Sequence, residues 1–296
     1  MDSLEQQYLS RARNELTEHI VYHKLSLREK KTVNREALEK LSTQEKSHYE
    51  FWRTLLPQET AIKPSALAVY GIPLLHKIFG VTFTTKLLES HEKNAVANYE
   101  KMLAKVPDSH KKRLELIIED ERFHERTLIS KLKEKRVAYI GFVALGLSDA
   151  IVEITGVHAG FLGVTGSTLI AGISGVIVGF AAAISMGAAA YLQAKQDTEK
   201  SAALSAFVTG ISYMISVICL ALPYFLIHTM LIAFITSTLI GILLLAAFTF
   251  YGAVVFDRKF SRELAESVSL MLGTAIATYI LGTFVGNVFH IKQANF

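Results

Sequence analysis

Residues Ile117 to Glu125 have the sequence IIEDERFHE, and the motif in this stretch indicates the fold of the first half of the chain. Glu121 and His124 stand three positions apart, so on a helix a carboxylate and an imidazole share one face. The segment TQEKSHYEFW repeats this spacing with Glu45 and His48. Two Glu-x-x-His helices, each with a further Glu-bearing helix beside it, form the ligand set of carboxylate-bridged two-metal bundles. The sequence therefore predicts a metal site enclosed by helices.

Helical periodicity and the prolines at 57 and 107 predict four helices in this half, at Leu4–Lys31, Arg35–Leu56, Thr82–Val106 and Ser109–Arg136. In chain order they carry Glu, Glu-x-x-His, Glu-x-x-Glu and Glu-x-x-His. Carboxylates are hard anionic ligands that can bridge two ions, and imidazole adds one borderline ligand per ion, which favours iron. The predicted ligands are Glu15, Glu45, His48, Glu89, Glu92, Glu121 and His124, with Glu18 as a weaker alternative to Glu15.

Charge divides the chain into two regions, 1–136 and 137–296. The first region holds 25 of the 31 Lys and Arg residues and 20 of the 27 Asp and Glu residues. This charge predicts that the first region is a soluble domain. The second region has few charged residues and is predicted to be embedded in the membrane. Basic cytosolic parts of a membrane protein explain the small positive net charge better than nucleic-acid binding does. The charged start of the chain shows no secretory signal, and the single Cys219 excludes an intrachain disulfide or a Cys-x-x-Cys metal site.

Five apolar stretches predict membrane spans, because each supplies about 20 residues for the bilayer core. Basic residues flank the second-to-third and fourth-to-fifth connections, while the other two connections carry no charge. The positive-inside rule then places the N-terminal domain in the cytoplasm and the C-terminus outside. The predicted spans are Ala138–Leu162, Ser167–Ala194, Ser201–Leu222, Phe225–Phe256 and Ala265–Phe289.

Asp149 and Glu153 fall well inside a predicted span, whereas the other acidic residues of this region lie at the predicted cytosolic ends. A charge at the centre of a span costs about 2.5–3.5 kcal/mol on insertion scales, so two of them on one helix face indicate an ion path. Met186, among small residues of the second span, adds a thioether that suits a softer transition metal. His158 is nine residues after Asp149, on the opposite side of an ideal helix, and is a weaker candidate.

The segment Leu67–Phe83 is apolar but interrupted by His76 and Lys77 and too short and broken to span a bilayer. Core packing is the simplest explanation. We hypothesise instead that the segment lies in the membrane interface or against the second half of the chain.

Two family resemblances follow from these motifs. The predicted ligand set, with Tyr22 seven residues after Glu15, resembles the rubrerythrin branch of the ferritin-like superfamily. This resemblance implies a four-helix bundle with a di-iron site, manganese or zinc being the alternative metals. The chain lacks the four-cysteine rubredoxin-type module of classical rubrerythrins, which weighs against their peroxidase cycle.

The motifs LGLSDAIVEITG (145–156) and ISMGAAAYLQAK (184–195) resemble the vacuolar iron transporter family. In that family the residues matching Asp149 and Met186 line a metal path between the first spans of a dimer. The short loop KQDTEKS (195–201) stands where plant and fungal members carry a Glu-rich insert, and we infer that the N-terminal bundle substitutes for it. Both halves together resemble the membrane-bound ferritins of prokaryotes.

The resulting prediction is an all-α protein, with a ferritin-like bundle at 1–136 and a five-span transporter domain at 137–296. The resemblance implies a homodimer that exports Fe²⁺, or Mn²⁺, in exchange for protons across the plasma membrane of a prokaryote; an organelle membrane is the alternative location. A rival hypothesis is a membrane-anchored ferroxidase or peroxidase without transport, so enzymatic activity stays open. A third makes the bundle a sensor that gates the channel when iron or peroxide is high.

Overall fold

The computed structural model describes residues 3–92, 95–123, 132, 134–197 and 200–291. Across those residues the chain forms ten α-helices and no strand, which confirms the all-α prediction at that level. The chain divides into two compact units, Met1–Glu134 and Lys135–Phe296.

The first unit contains five helices within the described ranges. Two apolar clusters hold them together, one around Trp52 with Tyr8, Tyr99 and Ile117, the other around Tyr22. Trp52 is fully buried. The helices are α1 (Ser3–Ser26), α2 (Thr32–Thr54), α3 (Ala66–Glu92), α4 (Ala95–Met102) and α5 (Asp108–Phe123).

The predicted third and fourth helices differ from those in the structure. The third begins at Ala66 rather than Thr82 and is broken at Gly80, whose φ of 86° and ψ of 176° are not helical. Of the rest of the predicted stretch to Val106, helix α4 covers Ala95–Met102, so the helix ends four residues before Val106. The predicted fourth helix does not run unbroken to Arg136, because Leu132 and Glu134 are outside helices and Lys135–Tyr139 is a 3₁₀ turn.

The second unit contains five long helices after the 3₁₀ turn, and each corresponds to one predicted span. The serines Ser167 and Ser201 act as N-caps, because their side chains accept hydrogen bonds from the amides of Ile170 and Leu204. Pro223 lies inside a helix and not in the predicted loop, since the helix continues one further turn to Leu226. The helices are α6 (Ile140–Val164), α7 (Thr168–Ala194), α8 (Ala202–Leu226), α9 (Met230–Phe256) and α10 (Phe260–Val288).

Helix α6 lies at the centre of this unit and packs against each of the other four long helices. Small residues allow the close contacts: a Cβ added at Gly282 of α10 would lie 2.2 Å from the carbonyl oxygen of Gly160. A Cβ added at Gly146 would lie 2.3 Å from the carbonyl oxygen of Thr209 on α8. Such contacts between small residues are typical of helices packed in membranes.

Within the described residues, six helices are long and apolar enough to cross a membrane, namely α3 and α6 to α10. The chain is therefore a multi-pass membrane protein. Helix α3 joins the five predicted spans on length and composition, although Pro73 and the break at Gly80 divide it.

Candidate metal centre

Four of the predicted ligands meet inside the first unit. Glu15 comes from α1, Glu45 and His48 from α2, and Glu121 from α5. One donor atom from each residue lies within 4.8 Å of the corresponding atoms of the other three. All four side chains are buried, with exposed fractions from 0% to 6%. Three different helices, α1, α2 and α5, thus direct three carboxylates and one imidazole to the same point.

The imidazole of His48 lies between carboxylates on both sides. Its Nδ1 atom is 3.1 Å from Glu121, 3.3 Å from Glu45 and 3.6 Å from Glu15. Its Nε2 atom is 3.5 Å from Oδ2 of the half-exposed Asp120. A metal-ligating histidine commonly donates its second ring N–H to a carboxylate in this way, which fixes the orientation of the ring. Asp120 is therefore placed to orient His48 and leave Nδ1 for a metal.

The protonation of the cluster follows from its burial and its charges. Burial is the main cause that raises the pKa of Glu121 to about 7, and the hydrogen bond from His48 opposes it. Burial also acts to raise the pKa of Glu15, but the hydrogen bond and charge of His48 outweigh it, so that this pKa is lowered. For His48 burial acts to lower the pKa, yet hydrogen bonds to Asp120 and Glu121 raise it well above its usual value.

Tyr99 is a site residue that sequence reasoning missed. Its hydroxyl donates a hydrogen bond to Oε1 of Glu15, and its ring is buried against Trp52 with centroids 5.2 Å apart. Burial, followed by the charges of Glu15 and Glu121, raises the pKa of Tyr99 well above its usual value, so it stays a protonated donor. A tyrosine ten residues after Glu89 carries no spacing motif, so no signal in the sequence identified it.

Glu89 lies nearby but outside the group of four. It is 8% exposed, and its Oε1 accepts a hydrogen bond of 2.8 Å from the hydroxyl of Tyr22. Its charge contributes to the raised pKa of Glu121, which places it within electrostatic range of the cluster. Glu18 is buried as well, at 7% exposed, and is not part of the group.

The remaining two predicted ligands, His124 and the side chain of Glu92, lie outside the described residues. The group of four is sufficient for one metal ion. A two-metal centre would also need Glu89 and donors from those two positions.

The donor set fits a divalent transition metal. The second oxygen of Glu15, Oε2, is buried and lies 3.6 Å from His48 Nδ1. Several carboxylates held together in a buried space repel one another unless protons or a cation compensate the charge. Carboxylate oxygens with one imidazole suit iron, manganese or zinc.

In the second unit the three predicted transport residues line one open cleft of about 540 Å³. Asp149 and Glu153 reach it from α6, and Met186 reaches it from α7. The other lining residues, including Ser185 and Ala182, are mostly small or apolar. The cleft therefore gathers two carboxylates and one thioether among small or mostly apolar side chains.

Tyr213 of α8 is the second site residue that sequence reasoning missed. It is fully buried, and its hydroxyl donates a short hydrogen bond to Oε2 of Glu153. A tyrosine in the middle of an apolar span was the available signal, because polar groups in a membrane seek partners. Tyr213 fixes one oxygen of Glu153, whose side chain also borders the neighbouring groove between α6 and α10.

His158 does not join the cleft. Helix α6 is continuous through this region, so His158 faces away from Asp149 as the ideal geometry predicts. Its ring is fully buried, 4.0 Å from the ring of Tyr224 between centroids, and a Cβ added at Gly175 would lie 2.4 Å from its Nε2. The structure therefore shows that His158 packs α6 against α7 and α8.

Comparison with known proteins finds no match: no protein-family model, no curated protein and no solved structure is significantly similar to the chain. The resemblance to ferritin-like proteins and to vacuolar iron transporters therefore rests on the quoted motifs and stays a prediction.

Proposed function

We propose that the chain is a membrane transporter that exports a divalent transition metal, Fe²⁺ or Mn²⁺, from the cytoplasm in exchange for protons. The observation that carries the proposal is the cleft in which Asp149, Glu153 and Met186 meet. Two carboxylates in apolar helices are costly unless they serve a path, at about 2.5–3.5 kcal/mol each on insertion scales. The ferritin-like and transporter-like assignments of the two units belong to the same proposal.

The donor types in the cleft explain selectivity and coupling. Carboxylate oxygens bind a hard divalent cation, and the thioether of Met186 adds a preference for a transition metal over Ca²⁺ or Mg²⁺. A deprotonated carboxylate binds the metal and a protonated one does not, so protons that arrive on Asp149 and Glu153 release it. Tyr213, as a donor to Glu153, holds that carboxylate in place through the exchange.

The buried cluster of the first unit supplies the cytoplasmic metal site of this proposal. Glu15, Glu45, His48 and Glu121 would hold the metal, while Tyr99 and Asp120 would orient its ligands. Iron bound there would supply one-electron redox chemistry between its ferrous and ferric states. The chain's own residues bind and orient, exclude water by burial, and store a proton on Glu121.

The test is flux in proteoliposomes that enclose a pH-sensitive dye. We expect Fe²⁺ uptake with a matching proton signal by the native protein, and loss of both in Asp149→Asn plus Glu153→Gln. Glu266→Gln is the matched control, because this exposed carboxylate pairs with Arg262 near the start of α10. No flux by the native protein, with metal still bound at the cluster, would exclude the transporter hypothesis.

The rival function is a tethered di-iron oxidase or peroxidase without transport. The near-complete burial of the four ligands favours it, because an enclosed site suits a permanently bound metal cofactor better than a metal ion that is bound and released during transport. Glu121→Ala separates the two hypotheses. If the protein is a tethered enzyme, the variant loses oxygen or peroxide consumption, and neither the native protein nor the variant shows metal flux. If it is a transporter, the variant retains a metal flux that depends on Asp149.

A further inference from the structure

The first half of α3 carries a row of exposed apolar side chains. Leu67, Tyr70, Leu74 and Ile78 are exposed at 86%, 74%, 60% and 63%. Their spacing of three, four and four residues places them on one face of the helix. We call these four residues the α3 stripe.

The opposite face of the same half is apolar too and faces the core of the first unit. Val69 is buried in the cluster that contains Val21, Tyr22 and Leu25, and Pro73 is also buried. A surface helix of a soluble domain presents polar residues to water on its outer face. A helix that is apolar on both faces needs an apolar covering on the outside, so the α3 stripe marks a contact surface.

This helix is poorly built to cross a bilayer, despite its composition. From Ala66 to Phe79 the helix spans 14 residues, or ~21 Å at 1.5 Å per residue, which is short of the ~30 Å hydrocarbon core. After the break at Gly80 the chain returns to the interior of the first unit, where Thr84 and Glu89 are buried and the charge of Glu89 acts on Glu121. The carboxylate of Glu134 accepts a hydrogen bond of 3.0 Å from the amide of Thr82 at this break.

Positive charges border the α3 stripe. The ammonium group of Lys24 lies 4.5 Å from the ring centroid of Tyr70, and Arg28 donates a hydrogen bond of 2.8 Å to the carbonyl of Pro73. Lys77 is exposed beside Ile78, and Leu27, 70% exposed, extends the apolar surface next to Arg28. An apolar row with basic residues at its margin matches the boundary between acyl chains and anionic headgroups.

We propose that Ala66–Phe79 lies in the plane of the membrane interface, with the α3 stripe among the acyl chains and Lys24, Arg28 and Lys77 against lipid phosphates. Helix α6, the first of the five long helices of the second unit, begins at Ile140, six residues after Glu134, so the first unit is tethered to the bilayer. Tethering raises the local concentration of lipid, and a modest affinity is then sufficient. The proposal is independent of the metal that the protein handles.

The test uses the full chain in lipid nanodiscs that contain anionic lipid, because the basic residues beside the stripe are expected to contact anionic headgroups. Cys219→Ser removes the single native thiol, and Leu74→Cys or Tyr70→Cys then carries a nitroxide label. Val33→Cys on α2 is the matched control, because Val33 is an apolar side chain with 53% exposure outside the stripe.

Power saturation reports the surroundings of each label. We expect the labels at 70 and 74 to be relaxed by oxygen and protected from a water-soluble nickel chelate, and the label at 33 to behave in the opposite way. Nickel accessibility at 70 and 74 equal to that at 33 would overturn the proposal. Protection from both reagents with dipolar broadening would also overturn it, since a second copy of the chain would then cover the stripe.

Discussion

A single nitrogen, Nδ1 of His48, faces three carboxylates from three helices, and this contact sets the acid–base behaviour of the cluster. Without metal, a proton on His48 and a proton on Glu121 compensate part of the negative charge, as the raised pKa values of both groups require. A metal ion that binds these residues must displace those protons. Metal affinity is therefore coupled to pH.

The first prediction is the slope of that coupling. Below pH 7 both Glu121 and His48 release a proton on binding, so log affinity for Mn²⁺ should rise by about two per pH unit. Above pH 7 Glu121 is already deprotonated, and the slope should decrease. Calorimetric titration of the detergent-solubilised chain between pH 5.5 and 8 measures it. An affinity that does not change over this range would contradict the assignment of both groups as ligands.

The second prediction concerns Tyr99. In Tyr99→Phe, Oε1 of the buried Glu15 loses its hydrogen-bond donor, and the carboxylate is no longer oriented. Metal affinity should fall about 10- to 100-fold, the usual effect of removing such a supporting contact. Tyr8→Phe is the control, because the Tyr8 hydroxyl makes a long 3.4 Å contact with the carbonyl of Lys105 and its ring, like that of Tyr99, packs against Trp52. Equal affinities in the two variants would remove Tyr99 from the site.

At the scale of elements, the break in α3 allows one helix to serve two environments. The residues before Gly80 expose the α3 stripe, and those after it carry Glu89 towards the cluster. A backbone φ of 86° is open to glycine and strained for other residues. The amide at the start of the second half is satisfied by Glu134, as a helix N-terminus requires.

The third prediction follows from this break. Gly80→Ala should lower the free energy of unfolding by about 1–3 kcal/mol, because the residue is strained at positive φ and its Cβ would lie 1.8 Å from Oε1 of Glu134. Gly71→Ala, in the same helix with no atom within 4 Å of the added Cβ, should raise it by about 0.5–1 kcal/mol. Denaturant unfolding monitored by circular dichroism distinguishes the two signs.

At the scale of the whole molecule, the chain carries two donor sets, one in each compact unit. The cluster is closed and rich in carboxylates, with an imidazole. The membrane cleft is open and adds a thioether. We propose that the two sets act in sequence, the first as the cytoplasmic site and the second as the path.

The fourth prediction separates the two sets. Asp149→Asn should abolish metal flux and leave Mn²⁺ affinity at the cluster unchanged, because the four cluster ligands belong to the other unit. Glu121→Gln should weaken binding at the cluster and leave the Asp149-dependent path able to conduct at high metal concentration. Calorimetry and proteoliposome flux on the same preparations provide both readouts. Loss of both properties in both variants would indicate one shared site.

The sequence by itself determined the helical class, the membrane character and four donors that meet. Periodicity and apolar length act locally, so the five long helices could be located from composition. The spacing of Glu45 and His48, with Glu15 and Glu121 on other helices, indicated a common site, because carboxylates and an imidazole in this arrangement serve as metal ligands.

Only the tertiary structure decided the rest, since those features depend on contacts between distant segments. Gly80 adopts its positive φ with Glu134 against it, 54 residues further along the chain, and no local pattern signals that pairing. Tyr99 and Tyr213 become site residues because α1, α4, α6 and α8 bring their hydroxyls to Glu15 and Glu153. Local spacing determines which metal-ligand side chains share a helix face. Packing between helices determines which side chains from other helices hydrogen-bond to those ligands.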